Sequence, residues 1–314
     1  MTDRIHPPTG IIPGLSDERL ATILLFVVPI FFATNILVAK ATADFIPPVH
    51  LAFLRWVATF LLLLPLVGGR LWVRRGAIMR EWKDLLVLGG LGMGICGAFV
   101  YIAADTTSAV NIGLIYSASP VLITLLSALI YKEQVRRLGI VGMILSLTGV
   151  MIIITRADLN VLLSLSFTEG DIWILASMIS WALYSVLLRH RPSEMGLTTR
   201  LGAIVLAGII ILAPFTVWET MQGQSPDWGW DVFGWVAILA VFASFGAYQL
   251  HGFVQRTLGA SRTSLFLYMM PLYSAGLAWL LLGEVPQIYH WIGAAFVLPG
   301  LMLANSGRAK PAKL

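Results

Sequence analysis

Ser108-Ala-Val-Asn-Ile-Gly-Leu-Ile-Tyr-Ser-Ala-Ser-Pro120 begins an apolar run that has a counterpart later in the chain, from Ala260-Ser261 through Leu267-Tyr268 to Pro271. A shift of 151 positions superposes the two prolines, and ten of the 43 aligned positions from 109 to 151 are identical. The same shift superposes Glu133 on Glu284, Gly142 on Gly293 and Gly149 on Gly300. The chain therefore contains two related halves, and this repeat governs the prediction of its fold.

The composition of the chain excludes an ordinary soluble globular protein. Of its 314 residues, 58% are hydrophobic and only 12% are charged, whereas soluble domains carry roughly 25% charged residues. So few charges cannot cover the apolar surface in water, so lipid must solvate much of the chain. The net charge of +5 would suit an acidic partner such as nucleic acid, but the positions of the basic residues indicate membrane topology instead. We therefore expect no nucleic-acid partner.

Apolar stretches of membrane-spanning length recur along the whole chain. They are continuous rather than alternating, which predicts helices and not the strands of a barrel. The predicted helices are 20–40, 48–66, 84–104, 107–131, 137–155, 171–190, 199–218, 232–254, 260–283 and 287–306. The predicted fold class is therefore all-α, a polytopic membrane protein of ten transmembrane helices.

The distribution of lysine and arginine predicts the orientation of these helices. The loops on the side that includes both termini carry 18 of the 21 basic residues. The opposite loops carry only Lys40 and Arg156, and Arg55 lies within a predicted helix. Because positively charged loops remain in the cytoplasm, we expect both termini to be cytoplasmic.

An odd number of helices in each half gives the two halves opposite orientations in the membrane. The first five-helix repeat occupies 20–156 and the second 170–306, with cytoplasmic tails at 1–19 and 307–314. Glu133 then falls on the cytoplasmic face and its counterpart Glu284 on the outer face. Inverted repeats of this kind are common in secondary transporters, whose substrates bind near the midplane where the repeats meet. The repeat therefore predicts alternating access around a central cavity.

Polar and aromatic side chains at membrane depth are the candidates for the wall of this cavity. A buried amide or hydroxyl in hydrocarbon needs a partner, so these side chains should face the interior of the bundle. The proposed substrate-binding residues are Asn35, Tyr101, Tyr116, Ser119, Trp181, Tyr184, Tyr248 and Tyr268. Taken singly, each is better explained by packing or an interhelical hydrogen bond. As a set, they suit a ligand with an apolar or aromatic body and a polar end.

Three further residues are candidates for kinks or gates. Pro120 and Pro271 occupy equivalent mid-membrane positions, where each removes a backbone hydrogen bond and bends its helix. Either these matched kinks shape the cavity, or both prolines merely fit helix packing. Arg55 is a charge inside the second helix, where it serves either as a structural anchor or as a gate or contact for a substrate carboxylate. His251 is either a proton relay or a packed neutral histidine.

Missing residue patterns bear on the mechanism. No Asp or Glu falls securely at mid-membrane, since Asp44, Asp105, Glu133 and Glu284 all lie at predicted helix ends. Facilitated export or exchange is therefore favoured over strong proton coupling. An intramembrane enzyme would need a catalytic pattern such as H-E-x-x-H or G-x-S-x-G, and neither occurs. The single cysteine, Cys96, gives no basis for a metal site, and no cofactor is expected.

These residues together resemble the drug/metabolite transporter superfamily, in its ten-helix EamA type. The resemblance covers 20–306 and rests on the repeated Ser108–Pro120 and Glu133 pattern, on Phe32-Ala-x-Asn35 with Trp181-Ala-x-Tyr184, and on Leu54-Arg-Trp56. It departs from the family pattern in having Phe32 where a Trp is usual and Lys132 where a Gly precedes the Glu. Within the superfamily the chain looks most like YddG-type exporters of aromatic amino acids. The resemblance implies inverted five-helix repeats around a cavity and export across a bacterial inner membrane.

The sequence therefore predicts an inner-membrane exporter of small metabolites, with aromatic or large neutral amino acids as the first candidates for its substrate. One alternative is export of nucleosides, drugs or other metabolites; a cation exporter of that kind is expected to carry an embedded carboxylate. Another alternative is an intramembrane enzyme, which is expected to cluster its catalytic residues. The expected partners are the small-molecule substrate and the lipid bilayer, with the protein as a monomer or weak homodimer.

Overall fold

The structure of the protein, a computed structural model, describes residues 15–104, 106–282 and 285–305. Every extended regular segment in these ranges is helical, and they contain no β-strand. The all-α prediction is therefore confirmed. Predictions that concern Asp105, Glu284, 1–14 and 306–314 lie outside the described residues, and so do most of the two predicted tails.

The helices follow one another with short connections. In chain order they are α1 (Asp17–Thr42), α2 (Pro48–Val73), α3 (Arg75–Ala104), α4 (Ala109–Ser117 and Ser119–Tyr131), α5 (Arg137–Ile154), α6 (Leu159–Leu163), α7 (Glu169–His190), α8 (Leu197–Met221), α9 (Trp230–Leu258), α10 (260–282) and α11 (Ile288–Asn305). The part of the chain before residue 156 is called the first half, and the part after residue 167 the second half.

Seven stretches of the described chain are helices long and apolar enough to cross a membrane. They are α2, α3, Asn111–Tyr131 of α4, α5, α7, α8 and α9. The apolar stretch Ile288–Ala304 of α11 is shorter than these. Large apolar side chains such as Leu61, Leu129 and Ile144 are more than half exposed on the outside of the bundle, where lipid solvates them. The protein is therefore a multi-pass membrane protein, while the count of ten spans stays a prediction.

Several helix bounds differ from those predicted. Helix α2 continues through Pro65 to Val73, because a helix in lipid has no alternative partners for its backbone and tolerates Pro and Gly. Helix α3 begins at Arg75 and not at 84, because the charged residues that precede its apolar part are good helix formers. The short helix α6 was not predicted, since five residues give no periodic signal.

Three long helices change geometry in their middle. Helices α3 and α9 each contain a π-helical segment, Gly90–Ile95 and Leu239–Gly246. Helix α10 contains the 3₁₀ segment Leu265–Met269 between two α-helical parts. Such segments occur frequently at functional sites, because a π-helix leaves backbone carbonyl groups without their usual partners. No sequence signal predicted them.

Contacts between side chains define two ends of the helix bundle. One end is called the basic end and includes the chain around 80–84, 131–137 and 189–200, where Arg80 pairs with Glu194. The other is called the opposite end and includes the chain around 43–50, 106–111, 168–171 and 219–227, where Asp227 N–H donates to Phe45 O at 2.9 Å. Consecutive long helices alternate in direction between these ends. Contacts at both ends join the first half to the second.

Candidate functional site

The buried charge of Arg55 lies at the centre of a polar cluster that joins α1, α2, α3 and α9. Only 3% of the residue is exposed. Its Nη1 donates to Asn35 Oδ1 at 2.9 Å and to Tyr101 Oη at 3.1 Å. Its Nε donates to Ser244 Oγ at 2.5 Å, and its Nη2 donates to Ala243 O at 2.8 Å. The guanidinium is thus held inside the bundle by neutral groups from both halves, and it does not extend to the surface.

No carboxylate neutralises this guanidinium within the described chain. No Asp or Glu oxygen there lies within 4.0 Å of its nitrogen atoms. The compensation that is present comes from hydrogen bonds and from the ring of Trp56, whose centroid lies 4.6 Å from Arg55 Cζ. A buried charge without a counter-charge is costly. The cluster is therefore a positively charged site in the interior.

The π-helical segments turn backbone carbonyl groups toward side chains of neighbouring helices. In α3, Leu91 O accepts from Ser180 Oγ at 2.9 Å, and Met93 O accepts from Trp56 Nε1 at 3.1 Å. In α9, Ala243 O accepts from the guanidinium described above. Carbonyl groups of the two π-helical segments thus fix side chains that line the seam between the two halves.

An aromatic cluster fills the seam next to this charged site. Trp181 lies near its centre, with ring centroids 5.2 Å from His251, 5.6 Å from both Phe32 and Tyr184, and 6.1 Å from Tyr248. The full aromatic cluster comprises Phe32, Trp56, Trp181, Tyr184, Tyr248, His251 and Phe266. Most of these rings are almost completely buried, so the rings pack on one another in this conformation.

Polar atoms inside the aromatic cluster have few partners. Trp181 Nε1 and His251 Nδ1 form no hydrogen bond within the described part of the chain. Tyr248 Oη makes a long contact, 3.5 Å, to Gly92 O. A buried polar group without a partner costs about 1–3 kcal/mol, and each such group in a native structure calls for an explanation such as water or a ligand. These polar atoms of the cluster therefore remain able to form hydrogen bonds with a ligand or with water.

Trp56 connects the charged site to the aromatic cluster. One face of its ring carries the guanidinium of Arg55. The same ring meets Tyr248 edge-on, with centroids 5.1 Å apart and an interplanar angle of 89°. The cation and the rings therefore form one amphipathic site, with a positive end and an apolar body.

The structure separates the other predicted wall residues from this site. Tyr116 Oη lies 2.7 Å from Ser177 Oγ, on the stretch of α7 that precedes the aromatic cluster. Ser119 is fully buried, and its hydroxyl has no partner among the residues described. Tyr268 is also fully buried, but it packs in a second apolar cluster with side chains of α5 and α11. Asn35, Tyr101, Trp181, Tyr184 and Tyr248 are thus brought together, and the other three lie apart.

Both predicted kink residues follow a change of helix geometry. Pro120 is the second residue of Ser119–Tyr131, directly after α4 is interrupted at Ala118. Pro271 is the second residue of Met270–Leu282, directly after the 3₁₀ segment of α10. A proline at the start of a helix loses no hydrogen bond, because its missing N–H would have no intrahelical partner there. The two prolines therefore lie at equivalent interruptions.

A buried carboxylate joins α2 to α8 at the opposite end. Glu219 accepts from the backbone N–H groups of Val49 at 3.1 Å and His50 at 2.8 Å, and its Oε2 lies 2.5 Å from His50 Nδ1. Helix α2 begins at Pro48 without a capping side chain of its own, so its first N–H groups need an external acceptor. Glu219 supplies this acceptor from the second half, and its charge is favourable at a helix N-terminus.

A second buried carboxylate lies at the same end. Asp171 is 1% exposed and caps α7 by accepting from the backbone N–H of Thr168 at 2.8 Å. Its two oxygens accept from Asn111 Nδ2 at 3.0 and 2.9 Å, and it also accepts from the Thr107 hydroxyl. The start of α7 in the second half is therefore fixed to the loop before α4 in the first half.

Ion pairs at the basic end are more exposed. The pairs are Arg80–Glu194 at 2.5 Å, Arg191–Asp84 at 2.6 Å, His190–Glu133 at 3.1 Å and Arg262–Glu18 at 3.6 Å. Glu133 also accepts from Ser261 Oγ at 3.2 Å. These contacts join the halves as well, but solvent reaches them.

Sequence reasoning missed several residues of the site. Ser244 and Ala243 hold Arg55, and nothing in their local sequence marks them. Phe266 stacks on Phe32 with centroids 5.2 Å apart, yet an apolar ring in an apolar run carries no signal. Glu219 had one detectable signal, since a helix that starts at Pro47-Pro48 lacks its own cap and requires an acceptor from elsewhere. Within the described ranges, no three His, Cys, Asp or Glu side chains group to hold a metal ion.

Comparisons with known proteins identify relatives over nearly the whole chain. The chain is 26% identical over 289 residues to the uncharacterized transporter YyaM of Bacillus subtilis, covering 90% of this chain and 92% of that protein. It is 24% identical to an uncharacterized transporter of Archaeoglobus fulgidus (90% and 96% covered) and 22% identical to the uncharacterized inner membrane transporter YedA of Escherichia coli (91% and 92% covered).

A solved structure shares the fold. A protein crystal structure superposes with a TM-score of 0.73 at 19% identity, covering 91% of this chain and 96% of that one. The sequence model of the EamA-like transporter family matches the chain in two segments, residues 19–155 and 168–306. Because these segments make up most of the chain, the protein belongs to the EamA-like transporter family.

Proposed function

We propose that the protein exports small metabolites across a bacterial inner membrane, with aromatic or large neutral amino acids as its cargo. The observation that carries this proposal is the seam between the halves, where an unneutralised buried cation adjoins a cluster of aromatic rings. Ring faces suit an apolar or aromatic side chain. Convergent polar groups beside them suit the polar end of a small molecule. Membership of a transporter family favours transport over intramembrane catalysis.

The packing of α5 on α11 supports inverted repeats. Gly142 packs on Gly300, and Gly149 packs so closely on Gly293 that a Cβ at 149 would lie 2.6 Å from the Gly293 carbonyl oxygen. Under the shift of 151, Gly142 corresponds to Gly293 and Gly149 to Gly300. The contacts therefore exchange the members of the two pairs, as a two-fold axis between antiparallel helices requires. Such an axis in the membrane plane relates inverted repeats.

Matching irregularities support five spans in each half, and hence ten in total. The π-helical segments occur in the third long helix of each half, in α3 and in α9. The interruptions before Pro120 and Pro271 occur in the fourth, in α4 and in α10. The family model also matches each half separately. Helix α1 then begins and α11 ends at the basic end. Because this end carries most of the lysine and arginine residues, we assign it to the cytoplasm.

The seam supports an alternating-access mechanism. The aromatic cluster packs on itself, so cargo enters only when the rings separate and one end of the bundle opens. The site offers a fixed positive charge, because no described Asp or Glu pairs with Arg55. A fixed charge carries no proton between the two faces, and so facilitated or exchange transport fits this site better than proton coupling.

The direct test is transport by the purified protein in liposomes. Labelled L-tryptophan, L-threonine and a control sugar are offered, and we expect saturable flux for tryptophan and none for the sugar. Trp181→Ala should lower tryptophan flux several-fold, because it removes the central ring of the cluster. Trp218→Ala is the matched control, since that tryptophan is 60% exposed. Absence of saturable flux for any amino acid would reject the proposed substrates, and unchanged kinetics for Trp181→Ala would remove it from the site.

A further inference from the structure

We propose that Arg55 binds the carboxylate of the cargo, so that the protein selects organic monocarboxylates, including amino acids, and rejects amines and neutral amides. The inference rests on the proposed function, because it names the chemical class that the same seam transports. It resolves the role of Arg55, which the sequence left open between a structural anchor and a substrate contact.

The hydrogen bonds of the Arg55 guanidinium leave one donor and the positive charge without a partner in the described chain. A guanidinium has five N–H donors in a fixed fork, and four of them donate to Asn35, Tyr101, Ser244 and Ala243. The fifth, on Nη2, has no acceptor within the described chain. All four acceptors are neutral, so the hydrogen bonds leave the positive charge unpaired. A carboxylate would satisfy the remaining donor and neutralise the charge at the same time.

The guanidinium of Arg55 lies beside the aromatic cluster. Trp56 contacts both Arg55 and Tyr248, with its ring centroid 4.6 Å from Arg55 Cζ and 5.1 Å from the centroid of the Tyr248 ring. A carboxylate on Arg55 therefore leaves the rest of the molecule next to aromatic faces. A phosphate dianion is suited to more than one cation and more free donors than this site provides. The carboxylate of an apolar molecule is the better match.

The groups around Arg55 provide no partner for the amino group of an amino-acid cargo. An ammonium group needs an acidic or carbonyl acceptor, and Asn35 Oδ1 already accepts from both Arg55 and Tyr101. Asn35, Tyr101 and Ser244 carry no charge to attract a cation. The groups around Arg55 therefore do not select for an ammonium group. A carboxylic acid that lacks the amine should bind as well as the amino acid.

The two halves differ in charge at the position of Arg55. Helix α2 starts at Pro48 and its counterpart α8 at Leu197, a shift that places Ile204 where Arg55 stands. The corresponding position of α8 therefore carries no cation. A seam with one cation accommodates one carboxylate, which predicts monocarboxylates and excludes dicarboxylates as preferred cargo.

A thermal-shift experiment on the purified full-length protein in neutral detergent tests the inference without transport. The probes are indole-3-propionate, its neutral amide, tryptamine and inorganic phosphate. We expect only the carboxylate to raise the Tm of the wild type, by about 2 °C or more at saturation. Arg55→Met should abolish this shift, and Arg55→Lys should retain part of it. Equal shifts from the amide, a shift from phosphate alone, no shift from the carboxylate, or an undiminished shift in Arg55→Met would each overturn the inference.

Inhibition of tryptophan uptake supplies a test that needs no variant. In wild-type liposomes, indole-3-propionate should inhibit at least about tenfold more strongly than its amide, which corresponds to 1.4 kcal/mol of preference. Equal inhibition would overturn the role of Arg55 while leaving tryptophan transport intact. Conversely, a carboxylate shift that requires Arg55 in a protein without amino-acid flux would refute the proposed substrates and keep the carboxylate site. The two proposals therefore fail in distinguishable ways.

Discussion

The two ends of the helix bundle are closed by contacts of different strength. At the opposite end, Glu219 and Asp171 are 4% and 1% exposed and join the halves through several hydrogen bonds each. At the basic end, the side chains of Arg80 and Glu194 are 65% and 56% exposed. Leaving a buried hydrogen-bonding group without its partner costs about 1–3 kcal/mol, whereas an exposed ion pair contributes about 0–1 kcal/mol. The bundle should therefore open more readily at the basic end.

This difference bears on the direction of transport. In the proposed orientation, which rests on the lysine and arginine distribution, the basic end faces the cytoplasm. A ligand-free protein that opens more easily on that side loads its cargo from the cytoplasm, as an exporter must. The burial of a few carboxylates at one end is thus linked to the proposed direction of transport, and substitutions at the two ends test this link.

The largest effect is expected for Asp171→Ala. The substitution leaves the Asn111 amide, the Thr107 hydroxyl and the backbone N–H of Thr168, the residue before α7, without their acceptor. We expect a loss of about 3 kcal/mol in the free energy of unfolding, measured as a fall in Tm in detergent. Asp158→Ala is the matched control, since Asp158 is exposed and bonds only within its own turn. Equal losses for both variants would contradict the account of this end.

The next effect is expected for Glu219→Gln. The amide removes the charge that faces His50 and the start of α2, while it keeps one oxygen as an acceptor. We expect a loss of about 2 kcal/mol, because hydrogen bonds to a charged group contribute about 1.5–3 kcal/mol. Chemical or thermal unfolding measures this loss. A loss in the free energy of unfolding as small as that expected for an exposed ion pair would show that Glu219 does not hold the opposite end closed.

Substitutions of the α5 glycines that contact α11 show whether helix packing or the buried carboxylates make the two ends differ. Gly142 lies toward the basic end and Gly149 toward the opposite end, and a Cβ at either would collide with backbone atoms of α11. We expect Gly142→Ala and Gly149→Ala to cost about 1–3 kcal/mol each and to a similar extent. Gly139→Ala is the control, because a Cβ there meets nothing within 4 Å. A large difference between the two would mean that packing, and not buried carboxylates, distinguishes the ends.

The smallest effect is expected for Glu194→Gln. It breaks the pair with Arg80 at the basic end, where both side chains are mostly exposed. The free energy of unfolding should stay within about 0.5 kcal/mol of the wild type. Comparison of its Tm with that of Glu219→Gln measures the difference between the ends directly. A loss as large as that of Glu219→Gln would remove the basis for an easier opening at the basic end.

Most of the fold could be predicted from the sequence, because lipid leaves the backbone few choices. Continuous apolar runs must be helices, and their order agrees with the structure except for the short α6, which was not predicted. The π-helical segments could not be predicted, since Gly90–Ile95 and Leu239–Gly246 contain ordinary apolar and small residues. Their carbonyl groups accept hydrogen bonds from Arg55 and Trp56, which are distant in the sequence.

The candidate site could be predicted only in part. Depth in the membrane singled out Asn35, Tyr101, Trp181, Tyr184 and Tyr248, because polar or amphipathic side chains must face inward. Depth alone does not say which inward residues meet, and so Tyr116, Ser119 and Tyr268 were grouped with side chains that lie elsewhere. Apolar partners such as Phe32 and Phe266 carry no polar signal in a sequence of this composition.

In the ligand-free protein we expect the halves to separate at the basic end while the opposite end stays closed. Spin-label distance measurements in lipid nanodiscs, with Cys96 replaced by Ser, test it most directly. One label pair at Lys83 and Pro192 reports on the basic end, and one at Asp44 and Gln224 on the opposite end; all four residues are exposed. We predict a broad or bimodal distance distribution for the first pair and a single narrow one for the second. A narrow distribution at the basic end with a broad one at the opposite end would contradict the account.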